Sequence, residues 1–321
     1  MEKPMVSVVI PVYNAEKTIE KCLSSLLEQT VKNFEIIAIN DGSSDNSLSI
    51  LNNWAKKYSN IRVVDQENCG VAKTRNLGIT LAESEYVMFV DNDDYFREDY
   101  IEIFFEEITR NNLDIVIGGY QRVNSSGKIL HTEVLSNTEW SKYIIVAPWA
   151  RIYRKSFLLS NAITFFNYGL GEDVVFSIVA YSKTNKIKVI PYVGYFWYYN
   201  EASVSNTHQR GLSEDLDLRV VMREIKSKSG DFDKGRIEYY LYRYLVWYML
   251  FSGSKAKPEE FMRQFKNGKN YLDSEMAYKS MFFSKVIQGE SFKNRFIVSM
   301  FYLLDKIKLL PIFSKLYCKG E

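Results

Sequence analysis

Between residues 6 and 118, short β-branched runs alternate with longer stretches whose apolar residues recur at helical spacing, and this alternation restricts the fold more than any other feature. Val6 to Ile10, Glu35 to Ile39, Ile61 to Val64, Tyr86 to Val90 and Asp114 to Ile117 are predicted strands, and Ala15 to Gln29, Ser44 to Tyr58, Val71 to Leu81 and Glu98 to Arg110 predicted helices. Alternation of this kind implies right-handed crossovers and a mainly parallel sheet covered by helices, so the predicted class is α/β. Ligands on such sheets bind beyond the carboxyl ends of the strands.

The pattern changes after residue 118. Gln121 to Val134 is predicted to be a hairpin around Asn124-Ser125-Ser126-Gly127, and Lys186 to Tyr199 two further strands, which adds antiparallel or mixed members to the sheet. From Gly211 onward the spacing is helical only. A chain of 321 residues with 46% hydrophobic content can bury more than one simple domain. The division expected is a first domain over 1–210, itself split at 118, and a helical region over 211–321.

Charge separates the same two parts. Residues 232–321 hold 16 Lys and Arg against 9 Asp and Glu, a net +7, which leaves −5 for residues 1–231 because the whole chain carries +2. A basic, aromatic-rich end suits an anionic partner, either nucleic acid or an anionic membrane surface. Lys234 to Phe251 is dense in Tyr, Trp and Leu, and Phe296, Met300, Leu303, Ile307 and Leu310 form one stripe. Such stripes serve packing against a neighbouring domain or embedding in a membrane interface. Phe296 to Leu304 is stopped by Asp305, too short for a span, and no signal peptide is evident. Three cysteines, Cys22, Cys69 and Cys318, without paired spacing favour a reducing compartment, so a cytoplasmic location is expected.

Three polar segments follow predicted strands and therefore share the ligand edge. They are Pro11-Val12-Tyr13-Asn14, Asn40-Asp41-Gly42-Ser43-Ser44-Asp45 and Asp91-Asn92-Asp93-Asp94. Clustered carboxylates repel unless a cation neutralises them, and Mg²⁺ and Mn²⁺ favour carboxylate oxygens shared with phosphates. Read alone, Asp91 to Asp94 is equally an acidic turn capping the next helix. Asp41 suits a hydrogen bond from a pyrimidine N–H, with Tyr13 stacking nearby and Gly42 allowing close backbone approach, while Ser43 or Ser44 suits a helix N-cap. No glycine occurs between Pro11 and Lys17, which excludes the dinucleotide fingerprint, and no P-loop is present. Any phosphate must then be held by a metal or by Arg and Lys. Lys73 and Arg75 lie in the first turns of a predicted helix, although Arg75 taken alone reads as a surface cation.

Taken together, VSVVIPVYNAEKTI, NDGSSDNS, NCGVAKTRNLGI and YVMFVDNDDYF resemble, in order and spacing, the inverting family 2 glycosyltransferases of GT-A fold. The resemblance covers residues 6 to about 118 closely and continues through Ala147-Pro148-Trp149-Ala150-Arg151-Ile152-Tyr153 and Gly171-Glu172-Asp173-Val174-Val175-Phe176 to about residue 210. Transferases that build capsular, teichoic-acid and other bacterial surface polysaccharides are most similar. The resemblance implies that Pro11, Tyr13, Asp41, Asn68, Arg75, Asp91 and Asn92 hold a nucleotide, usually uridine, and that Asp93 binds Mn²⁺ or Mg²⁺. It also implies that Asp173 is the general base, with Glu172 positioning the acceptor. Asp173 is predicted at a helix N-terminus, where the dipole would keep it ionised, although without the upstream motifs the same position reads as a helix N-cap and nothing more. Some relatives place a histidine after the last strands, and His208 is the candidate here for a metal ligand, with a solvated loop histidine as the alternative reading; His131 reads as structural.

The activity implied is transfer of a hexose or N-acetylhexosamine from a UDP-sugar to a glycan or polyprenyl-diphosphate-linked acceptor, at the inner membrane face and without nucleic acid. Homo-oligomers are compatible with it. A non-catalytic nucleotide-sugar-binding scaffold is the alternative, which degraded motifs would favour. A sugar nucleotidyltransferase would need a glycine-rich basic loop where this chain has Pro11-Val12-Tyr13-Asn14.

Overall fold

The computed structural model describes residues 3–199, 212, 216–276 and 281–320. They fall into two compact units, one of residues 1–137 and 146–200, the other of 138–145 and 201–321.

The first unit is an α/β layer structure around a nine-stranded sheet. Its strands are β1 (Ser7–Val12), β2 (Glu35–Asp41), β3 (Ile61–Gln66), β4 (Tyr86–Phe89), β5 (Tyr95–Phe96), β6 (Ile115–Val123), β7 (Ile129–Glu133), β8 (Arg151–Arg154) and β9 (Ile187–Tyr198). The order is β3-β2-β1-β4-β8-β6-β9-β5, with β7 paired to β6. β3, β2, β1 and β4 are mutually parallel, and β6 and β9 are parallel to each other. β8 runs antiparallel between β4 and β6, so the expected mainly parallel sheet with later antiparallel members is what forms. Every residue of β1 is buried, as a central parallel strand covered on both faces requires.

Helices α1 (Ile19–Leu27), α2 (Ser47–Lys57), α3 (Val71–Leu81), α4 (Tyr100–Arg110), α5 (Lys155–Ser160) and α6 (Glu172–Ser182) flank this sheet. α3 lies unusually close to β1. A methyl group at Gly78 would fall 2.3 Å from Val9 Cγ1, so glycine is what lets the helix settle there. Around β4, Phe89 meets Tyr153, Phe165 and Phe176 edge-on at 5.2 to 5.9 Å, and Phe165 stacks on Phe176 at 3.9 Å. That cluster fixes the start of α6 against the end of β4, each ring pair adding about 0.5–1.5 kcal/mol beyond burial.

The segment expected as two strands, Lys186 to Tyr199, is the single strand β9. It pairs Ile187 to Val189 with Ile115 to Ile117, shifts register around Gly119, and continues to Tyr198 opposite Val123. Pro191, which has no N–H for a ladder, falls in the interruption, and the sheet absorbs it as a bulge. Ser43 and Ser44 do not cap α2, whose N-cap is Asn46. Instead Ser43 Oγ accepts from Asn14 N at 3.0 Å and Ser44 N donates to Asn14 Oδ1 at 2.9 Å, so both serines tie the loop after β2 to the loop after β1.

The second unit is helical among its described residues: α7 (Leu218–Ser229), α8 (Lys234–Phe251), α9 (Pro258–Met276), α10 (Phe292–Lys306) and α11 (Leu310–Tyr317). α8 is its core element, with Tyr239, Leu241, Tyr242, Leu245, Val246 and Met249 fully buried. Arg243 on the same helix pairs with Glu290 at 2.6 Å and donates to the Tyr143 carbonyl at 2.6 Å, so its charge is buried with partners. Leu310 leaves the stripe expected of it. α10 stops at Lys306, Lys308 turns the chain with φ of 59°, and Leu310 is buried at the start of α11.

Candidate active site

The parallel register brings the ends of β1, β2 and β4 to one edge of the sheet, where Tyr13, Asp41 and Asp91 to Asp94 follow. Asp41 is buried there. Its Oδ1 accepts from Cys69 N at 2.9 Å and Gln66 Nε2 at 2.7 Å, and its Oδ2 from Gly70 N at 3.0 Å. Burial alone would raise its pKa, but these donors more than offset that and hold it below the ordinary carboxylate value. The carboxylate therefore fastens the loop that opens α3, and Gly42 completes the approach. With φ of 69°, a side chain at Gly42 would be strained, and its Cβ would lie 2.7 Å from Asn68 N. Asn68 itself is exposed, and so is Tyr13, at 51%. Pro11 is buried within β1 and meets the acidic turn through its carbonyl, which accepts from Asn92 Nδ2 at 3.0 Å.

The four residues of the acidic turn divide by environment. Asp94 is not a helix cap: it points inward, accepting from the Tyr195 hydroxyl and from Tyr198 N at 2.8 Å, both on β9. Burial first, with Asp93 and Asp91 nearby, raises its pKa well above the ordinary value, and its two hydrogen bonds make it an anchor of the turn on β9. Asp91 accepts from Arg75 Nη2 at 2.7 Å. Asp93 sits at the turn, partly exposed.

Arg75 is not a surface cation. Its side chain is 6% exposed, and beyond Asp91 its Nη1 lies 3.6 Å from Glu172 Oε1. Burial opposes its charge, but Asp91, Glu172 and Asp173 together raise its pKa. Its Nε and Nη1 make no hydrogen bond, so part of a buried guanidinium is left without one. Glu172 and Asp173 begin α6 after Gly171, whose φ of 71° turns the chain into the helix. The helix N-terminus expected for Asp173 is there, but the carboxyl is not held strongly ionised. Burial first, and the neighbouring Glu172 second, push its pKa up to about 7, against the opposing pull of Arg75.

A divalent ion that binds mainly through a diphosphate asks for only one or two protein carboxylates. Asp91 and Asp93 are the carboxylates of this turn that could supply them, while Asp94 is spent on β9. Among the described residues, no group of three or more His, Cys, Asp or Glu is arranged to hold a metal by itself. His208 lies outside the described residues. His131 is on β7, 3.3 Å from Glu133. Tyr195, Gln66 and Asn14 were not singled out from sequence. Only their distance in space to Asp94, Asp41 and Ser44 reveals them, and the register that creates it spans up to 101 positions.

A family model described as Glycosyl transferase family 2 matches residues 7–169. The chain is 34% identical over 203 residues to the uncharacterized glycosyltransferase EpsJ of Bacillus subtilis, covering 58% of this chain and 59% of that protein. It is 36% identical over 201 residues to a poly(ribitol-phosphate) beta-glucosyltransferase of Bacillus spizizenii, covering 60% of this chain but 32% of that protein. The chain thus spans less than two thirds of either relative. In fold it is similar to S. aureus TarS residues 1–349, crystallised in complex with UDP-GlcNAc, with a TM-score of 0.71 at 24% identity over 93% of this chain and 91% of that one.

Proposed function

The chain belongs to glycosyltransferase family 2, and we propose that it transfers a hexose or N-acetylhexosamine from a UDP-sugar to a hydroxyl of a glycan or lipid-linked acceptor, with inversion. The observation that carries this reading is the ion-pair line from Asp91 through Arg75 to Glu172, beside Asp173 with its pKa near 7. It joins an anion-handling edge to a proton acceptor tuned to neutral pH, the two things a single displacement needs. The UDP and UDP-GlcNAc complexes of TarS support a uridine donor, and the polymer-modifying relative supports a surface-glycan acceptor. Peripheral contact with a membrane belongs to the same reading.

In the proposed step the acceptor hydroxyl attacks the anomeric carbon from the face opposite the nucleotide. Its proton passes to the Asp173 carboxylate as the new C–O bond forms. The bond from the anomeric carbon to the diphosphate oxygen breaks, and its electron pair leaves with UDP. Asp173 needs only moderate basicity, because the hydroxyl becomes acidic as it bonds to an oxocarbenium-like centre. Arg75 holds Asp91 in place and keeps Glu172 beside the base, and Glu172 positions the acceptor. Tyr13 stacks on the base of the nucleotide, while Asp41 and Asn68 shape the pocket behind it. Asp93 and Asp91 are the residues that would hold Mn²⁺ or Mg²⁺, which would supply positive charge to the departing diphosphate.

A non-catalytic scaffold would not need the Glu172–Asp173 pair set beside the Arg75–Asp91 ion pair. Release of UDP from a panel of UDP-sugars, with an oligosaccharide acceptor and with or without Mn²⁺, tests the reading. Turnover of at least one donor is expected, and tight UDP binding with no turnover on any donor would favour the scaffold.

A further inference from the structure

The helical unit presents a second surface that glycosyl transfer does not use. Along α10, Phe292 is 73% exposed, and Phe296 and Leu303 are exposed as well, with Ile307 at its end and Ile312 and Leu316 on α11. At about 100° per residue, Phe292, Phe296 and Leu303 fall within a sector of about 40°. Val298 and Phe301, fully buried, lie on the opposite side of α10 and tie it to its own unit. The outward stripe is therefore additional to the packing face, not a frayed part of it.

The charges around it have one sign. Lys293 and Lys306 flank the stripe on either edge at helical spacing, and Lys308, Lys315 and Lys319 follow, all exposed. Residues 292–320 carry six Lys and Arg against one acid, Asp305. That acid is already paired with Lys269 at 3.4 Å. Among the described residues no helix is long and apolar enough to cross a membrane. α8, the other apolar helix, is largely buried in the core of this unit and exposes Phe251 at its end, so the outward apolar stripe is carried mainly by α10 and α11.

We propose that the face formed by α10 and α11 lies in the headgroup region of an anionic bilayer, its aromatic and aliphatic stripe in the acyl boundary and its lysines on acidic lipid headgroups. This deepens the membrane part of the reading above, and it rests on that part alone. A lysine-edged apolar stripe is the pattern that binds such an interface. A second copy of the chain fits it less well. A two-fold contact through this face would set the same row of lysines against itself, with no acid to neutralise it.

The test uses the full chain in co-sedimentation with vesicles of phosphatidylcholine alone and of phosphatidylcholine mixed with phosphatidylglycerol. The expected result is at least about tenfold tighter binding to the anionic vesicles, weakened by salt. Lys293→Glu with Lys306→Glu and Lys315→Glu should lower that binding about 100-fold or more. Phe296→Ser with Leu303→Ser and Leu316→Ser should abolish it, and both variants should melt like the parent because every altered side chain is exposed. Equal binding to both vesicle types, or unchanged binding by either variant, would overturn the proposal. So would a salt-insensitive dimer that both variants dissolve and that stays off vesicles. UDP release with a water-soluble acceptor, measured on the same proteins without vesicles, separates the questions: vesicle binding can fail while transfer stands, and the reverse.

Discussion

Arg75 Nη2 and Asp91 Oδ1 stand 2.7 Å apart, a pair in which the cation is 6% exposed and the carboxylate 32%. The cation comes from the first turns of α3 and the anion from the end of β4, so one contact locks a helix N-terminal region to the acidic turn. The same guanidinium lies 3.6 Å from Glu172 at the start of α6. The edge proposed for the nucleotide and the edge proposed for the base thus share one buried charge, and replacing it should disturb both.

For Arg75→Gln the uncompensated carboxylates should cost about 3 kcal/mol of stability and lower kcat/KM by about 10²-fold or more. Because Arg75 pulls the Asp173 pKa down, its loss should also move the acid limb of the kcat/KM profile to higher pH. Arg75→Lys keeps the charge but cannot span two carboxylates, so it should recover only part of the activity. A pH profile for Arg75→Gln that superimposes on wild type would separate Arg75 from the base.

With the Asp173 pKa near 7, kcat/KM should rise about tenfold per pH unit below 7 and level off above it. The same shift has a stability consequence of definite sign. In the unfolded chain this carboxyl loses its proton near pH 4, but in the folded protein only near 7. Stability therefore falls as pH rises between those values, and the penalty is complete above 7. Asp173→Asn removes it and should raise stability at pH 8 by about 1–2 kcal/mol after screening by solvent, with little effect at pH 4. Thermal melts of both proteins at the two pH values check this; a loss of stability at pH 8 contradicts it.

Asp93→Ala should weaken UDP binding in the presence of Mn²⁺ by about tenfold or more while leaving metal-free binding nearly unchanged. Titration calorimetry with UDP, with and without Mn²⁺ or after chelation, reads the difference. If chelation leaves wild-type affinity and turnover intact, neither Asp93 nor a metal has the role given to it here.

Gly42→Ala places a methyl group 2.7 Å from Asn68 N on a backbone with φ of 69°. The strain is about 1–2 kcal/mol, and its relief must displace the loop that Asp41 fastens through Cys69 and Gly70. A rise in donor KM of about tenfold with a smaller change in kcat is the expected pattern. An unchanged donor KM would mean that this loop does not shape the nucleotide pocket.

Much of the first unit was legible in the sequence because parallel strands buried on both faces read as uninterrupted β-branched runs, as in Val8-Val9-Ile10 and Ile36-Ile37. The short strands were not: β8 is Arg151-Ile152-Tyr153-Arg154 and β5 only Tyr95-Phe96, each defined by its neighbours rather than by its own pattern. In the site, residue types named candidates for the chemistry but not their partners. That Asp94 turns inward depends on Tyr195 and Tyr198 arriving on β9, and the burial of Arg75 depends on β4 and α6 closing over α3. The pKa of Asp173 follows from burial, which a helix N-terminus read from sequence does not contain. The outward face of α10 was likewise open in the sequence, since a stripe at helical spacing fits core and surface alike.

The most direct measurement is transfer by Asp173→Asn against its affinity for UDP. Asparagine keeps the size and most of the contacts of the side chain but cannot accept the acceptor's proton. The account predicts UDP affinity within about twofold of wild type and transfer reduced by about 10³-fold or more. Turnover within about tenfold of wild type at unchanged UDP affinity would remove Asp173 as the base, and with it the single displacement proposed here.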